Sequence, residues 1–103
     1  MILARVEGAV VATKKNEKMR GSRLLLVRPM VIDSPSATEF RASGSTLVVT
    51  DDLGAGEGAL VLVAQGSSAR LGAADKDSPV DAVVIGIVDT VDLGRTRTLH
   101  KSS

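Results

Sequence analysis

Over residues 2–12 the even positions are Ile2, Ala4, Val6, Gly8, Val10 and Ala12, while the odd positions include Arg5 and Glu7. A period of two predicts a half-buried strand. The charged stretch KKNEKMRG, residues 14–21, connects it to RLLLVR, residues 23–28. That second strand is apolar on both faces, and Pro29, which cannot donate to a ladder, is expected to end it. Residues 33–45 hold Pro35, Gly44 and several serines and threonines, the composition of a loop. Further strands are predicted over 46–50 and 59–64, with one helical turn over 67–71 capped by a serine. The last main element, VDAVVIGIVDTV over 80–91, is apolar on both faces and interrupted by Asp81 and Asp89. Those carboxylates mark where the strand enters and leaves the core. A strand buried on both faces reads as a barrel wall covered by a neighbour. Residues 92–103 form a polar C-terminal tail in which 95–99 alternate enough to add an edge strand. The pattern is all-β: a small five-stranded Greek-key barrel, OB-like, with one short helix.

The densest local signal is DDLGAGEGALVLVAQGSSAR, residues 51–70. Gly54, Gly56 and Gly58 suit a backbone that takes positive φ or lies against another backbone. The apolar run after them is too short and too rich in Val and Leu for a phosphate-binding helix, and the glycine spacing lacks the dinucleotide fingerprint. The turn Gly54-Ala55-Gly56-Glu57-Gly58 therefore reads as a tight connection between strands at a crowded place.

Composition sharpens this. The chain has 103 residues, enough for one domain with a modest core. It is 44% hydrophobic, yet Phe40 is its only aromatic residue. A core this apolar and this poor in rings is expected to continue across a subunit boundary, as obligate interfaces do. The absence of cysteine removes disulfides and thiolate metal sites, in keeping with a reducing cytoplasm. No leader or membrane-spanning run is visible. A net charge of +1 gives no footing for nucleic-acid or membrane binding.

Candidate chemistry is sparse. Ser67 and Ser68 need a positioned base to act as nucleophiles, and the single histidine, His100, lies in a tail expected to fray. The serines are better read as capping a turn near Arg70, whose guanidinium suits a carboxylate across an interface. Asp51 and Asp52 are adjacent and point to opposite faces of an extended chain, so they make no acid–base pair. Asp75 and Asp77 offer too few oxygens for calcium. Lys14, Lys15, Lys18, Arg20 and Arg23 form a basic cluster with no interleaved aromatic, which suits a solvated edge better than a nucleic-acid face. No catalytic, cofactor-binding or metal-ligating set emerges.

Four blocks together extend the reading: VVATKK (10–15) with GSRLLLVRP (21–29), DDLGAGEG (51–58), VLVAQGSSAR (61–70) and PVDAVVIGIVD (79–89). In this order and spacing the chain resembles the bacterial microcompartment vertex proteins, the pentameric shell family that includes ethanolamine-utilisation and carboxysome vertex subunits. The resemblance covers residues 1–91, the expected vertex domain. It departs at Ala59, where the family often has an acidic residue, and over residues 31–45. It implies a cyclic homopentamer at the five-fold vertices of a cytoplasmic protein shell, meeting hexameric shell proteins, with no cofactor, nucleic acid or membrane partner. Gly54, Ala55, Gly56, Gly58, Gly66, Ser67, Ser68, Ala69, Arg70, Asp81 and Asp89 are then candidates for subunit interface or structural roles. Lys14, Lys15, Lys18, Arg20 and Arg23 are candidates for contacts with neighbouring tiles. The residues alone leave open a second reading, an OB-like module for a ligand or a single-stranded nucleic acid.

Overall fold

The computed structural model of the chain describes residues 1–13, 23–34, 36–66, 82–93 and 98–100. Five long strands build a barrel: β1 (Ile2–Val10), β2 (Arg23–Val31), β4 (Leu47–Asp51), β5 (Leu60–Gln65) and β6 (Ala82–Val88). Three short strands, β3 (Arg41–Ala42), β7 (Thr90–Asp92) and β8 (Thr98–His100), decorate it. Around the barrel the order is β1-β5-β6-β4-β2, and β2 pairs with β1 again to close the ring. All contacts are antiparallel except β4–β6, which run parallel and pair at Thr50 and Val83. This is the closed Greek-key barrel of the OB kind. Among the described residues every element is a strand; the helical turn expected over 67–71 lies outside them.

The interior is filled by small aliphatic side chains, as the period of two in β1 predicts. Ala4, Val6, Leu25, Val27, Val49, Val61, Val63, Ala82 and Val84 form one buried cluster. These short side chains suffice to fill the narrow five-stranded barrel, a core assembled from Val, Ala and Leu.

Pro29 does not end the second strand. β2 continues to Val31, with Pro29 opposite Ala4. Its carbonyl accepts from the Ser43 N–H at 2.9 Å on the side away from β1. The missing proline N–H faces that same side, in the gap where pairing with β4 stops at Val27 and pairing with β3 starts at Met30. No ladder bond is lost there.

A second cluster lies on the outside of the barrel. Phe40, Leu60 and Leu99 are buried together, with Leu3, Met30, Ile32, Val88, Val91 and Leu93 packed against them. The lone aromatic is thus a core residue of the stretch expected to be a plain loop. That stretch is braced at its ends by Arg41, whose Nη2 and Nε donate to Asp33 at 2.8 Å. The C-terminal tail is likewise ordered where it is described: β8 pairs with β7, Thr98 Oγ1 bonds Asp92 Oδ1 at 2.6 Å, and Leu99 enters the cluster. The two-sided apolar character of β5 follows directly. Val61 and Val63 face the barrel core, and Leu60 faces a layer supplied by the chain itself. A neighbouring subunit is not needed to bury that part of the wall.

Candidate functional site

The glycine turn closes one end of the barrel. β4 ends at Asp51, a residue almost wholly buried at 1% exposure. Its carboxylate accepts the backbone N–H groups of Leu53 and Ala55, each at 2.9 Å, so the chain reverses immediately after the strand. The Arg23 guanidinium adds a bond to Asp51 Oδ2 at 3.5 Å and one to the Ala55 carbonyl at 3.4 Å. Drawn inward, Ala55 joins the barrel core as a plug. Gly54 and Gly58 have φ of 85° and 87°, which an L-residue reaches only under strain.

The far side of the turn is stitched to β1. Gly58 N–H donates to the Val6 carbonyl at 2.8 Å, Val6 N–H to Ala59 at 2.9 Å, and Ala59 N–H to Gly56 at 3.0 Å. Arg5 donates to the Gly58 carbonyl at 3.0 Å. Nearby, the bulge at Glu7 places its carboxylate 3.1 Å from Arg28 Nε. Arg5 and Arg28 are opposite each other in the β1–β2 register, and these separate acceptors relieve their repulsion.

Chemically, the cap is a structural device. The N–H groups of Leu53, Ala55, Gly58 and Ala59 are committed to acceptors of the chain and hold the turn in place. Among the described residues no group of three or more His, Asp or Glu is placed to hold a metal.

The candidates from the sequence separate clearly. Gly54, Ala55, Gly56 and Gly58 all belong to the cap. Ala55 is buried in its own barrel, and Gly56 has neither positive φ nor any atom within 4 Å of where a Cβ would stand. Gly66 follows β5 with φ of 66°. Asp89 sits exposed between β6 and β7. Ser67, Ser68, Ala69, Arg70 and Asp81 lie outside the described residues, as do Lys14, Lys15, Lys18 and Arg20. Arg23 does not simply face solvent; it braces the cap. His100 is not in a frayed end but opposite Thr90 in β8. The organising carboxylate is Asp51, to which the sequence alone gives no role beyond its failure to pair with Asp52. Its signal is an aspartate three residues ahead of the first turn glycine, the pattern of a side chain that bonds its own backbone.

The whole arrangement can be placed among known proteins. A family model described as "Ethanolamine utilisation protein EutN/carboxysome" matches residues 1–89. The chain belongs to this family. Similar curated members include the bacterial microcompartment shell vertex protein GrpN of Rhodospirillum rubrum, 45% identical over 92 residues, covering 89% of this chain and 97% of that protein. PduN of Salmonella typhimurium, also a microcompartment shell vertex protein, is 45% identical over 93 residues, covering 88% and 98%. The solved structure of Gloeobacter violaceus CcmL superposes with a TM-score of 0.79 at 39% identity, over 97% of this chain and 96% of that one. The pentameric shell protein GrpN superposes at 0.74 with 44% identity, over 89% and 98%. Like these EutN/CcmL relatives, the chain is a structural protein rather than an enzyme.

Proposed function

We propose that this chain forms a homopentamer that occupies the five-fold vertices of a bacterial microcompartment shell in the cytoplasm and lets the shell close. The carrying observation is the near full-length likeness, at 45% identity, to named shell vertex proteins. A closed barrel whose end is sealed by its own turn supports the reading, since the polar groups at the cap hold the fold together. The role is geometric. Flat sheets of six-fold tiles cannot close, and five-fold tiles introduce curvature at discrete points. Lys14, Lys15, Lys18 and Arg20 are the residues proposed to meet neighbouring hexameric tiles, because a polar rim keeps the free pentamer soluble. Burial of Phe40, the one Phe, Tyr or Trp ring of the chain, in the protein's own core supports this reading over an OB-like nucleic-acid module.

Native mass spectrometry of the purified chain tests the ring: five protomers are expected, and a stable folded monomer would refute it. Co-expression of hexameric shell proteins with and without this chain, viewed by electron microscopy, tests the vertex. Closed compact particles are expected only with it. Equally tight shells in both cases would remove the vertex role.

A further inference from the structure

The strand β6 changes character halfway along. Ala82, Val83 and Val84 are buried to 4% exposure or less, whereas Ile85 and Ile87 are 39% and 45% exposed. The cause lies in the topology. β5 pairs with β6 along its length, but β4 meets it only at Thr50 and Val83. Beyond Val83, the β4-side edge of β6 has no strand partner among the described residues. The register also shifts between Leu62 and Val63, so that Ile85 is an extra residue bulged out of the ladder. Ile87 lies opposite Val61, a fully buried residue of the barrel core, yet stands open itself because β4 has already turned into the cap.

An open edge of this kind is normally protected by charge or proline. The segment AVVIGIV, residues 82–88, contains neither. The bulge at Ile85 is its one built-in protection, and it leaves two isoleucines in the open, a surface suited to a covering partner. Contacts between separately soluble shell tiles favour polar rims, whereas permanent contacts between copies resemble a core cut in half.

We propose that Ile85, Ile87 and the β4-side edge of β6 form the apolar centre of the contact between adjacent copies in the ring. The inference rests on the pentameric reading above. In a cyclic ring the contact is heterologous, so this face meets a different face of the next copy and never its own equivalent.

The natural chain lacks cysteine, so Ile85→Cys and Ile87→Cys each create a single thiol. Thr38→Cys, on an exposed loop position, serves as the reference. In intact rings, maleimide is expected to label the two β6 thiols at least about tenfold more slowly than the reference, because burial controls thiol access. All three are expected to react alike in denaturant. Oxidation is expected to give no disulfide-linked pair, since like residues do not meet. Ile87→Asp is expected to shift the ring toward monomers that keep their β-sheet circular dichroism, because the side chain is half exposed in the protomer.

Labelling of the β6 thiols at the reference rate in rings confirmed by native mass would overturn the assignment while leaving the pentamer intact. Protection that appears only after hexameric tiles are added would assign the face to the tile contact and equally overturn it. Ready disulfide pairing would show a two-fold contact and overturn the heterologous geometry. A wild-type chain that is monomeric by native mass would instead bring down the pentameric reading itself.

Discussion

Replacing Asp51 by alanine isolates the device that shapes the cap. The side chain is fully buried and accepts two backbone N–H groups at 2.9 Å. Its loss strands the N–H of Ala55, itself 1% exposed, and a buried donor without a partner costs about 1–3 kcal/mol. The Leu53 N–H lies nearer solvent and adds less, since water can replace the acceptor. Arg23 is 51% exposed, so its ion pair contributes no more than about 1 kcal/mol after solvent screening. The expected loss is about 2–4 kcal/mol, a large share of the roughly 5–15 kcal/mol that holds a domain of this size together. Asp51→Asn should fall between wild type and Asp51→Ala. One oxygen can still accept, but the amide NH2 confronts the second backbone donor. Arg23→Ala should cost under about 1 kcal/mol. Guanidinium unfolding at matched protomer concentration measures all three, because assembly itself raises apparent stability. A value for Asp51→Ala within about 0.5 kcal/mol of wild type, the range of an ordinary surface change, would refute the view that this carboxylate builds the cap.

Gly54→Ala and Gly58→Ala should each destabilise the protomer by about 1–2 kcal/mol, because both sites need positive φ. Gly56→Ala should leave it unchanged, since neither φ nor space forbids a Cβ, so a defect confined to assembly would place a second copy against the turn. Phe40→Ala should cost about 3–5 kcal/mol in thermal or denaturant unfolding, by emptying the centre of the outer cluster; a change as small as that of a surface residue would show that this layer is not a true core. The hydrogen bond from Arg41 holds the Asp33 carboxyl below its ordinary value of 3.8. A lowered folded-state value means the pair stabilises the fold above that ordinary value and ceases to do so as pH falls through the lowered one. Melting temperatures of wild type and Asp33→Asn should therefore differ slightly at neutral pH and converge in strong acid, and a gap that widens on acidification would contradict this.

Much of the architecture was legible in the chain itself. Alternation in residues 2–12, the aliphatic runs at 23–28, 46–50, 59–64 and 80–91, and the turn chemistry at 51–58 place all five barrel strands within a few residues of where they lie. They do so because side-chain direction in a strand repeats every two residues and turns demand particular backbone angles. The four motif blocks carried the family. These are local properties, and a sequence displays them directly.

Tertiary structure decided which surface covers which. Nothing near Pro29 in sequence shows that its missing donor falls in a gap between two partner strands. Nothing near Phe40 or Leu99 shows that they meet over Leu60, twenty and thirty-nine residues away, so that the chain itself covers the outer face of β5. The sequence shows only that Asp51 and Asp52 point to opposite faces, and the returning turn and Arg23 make Asp51 a buried acceptor. The parting of β4 from β6 after Val83, which uncovers Ile85 and Ile87, follows from barrel closure. Burial is a sum over partners brought together from across the chain, and no periodicity within a single segment contains it.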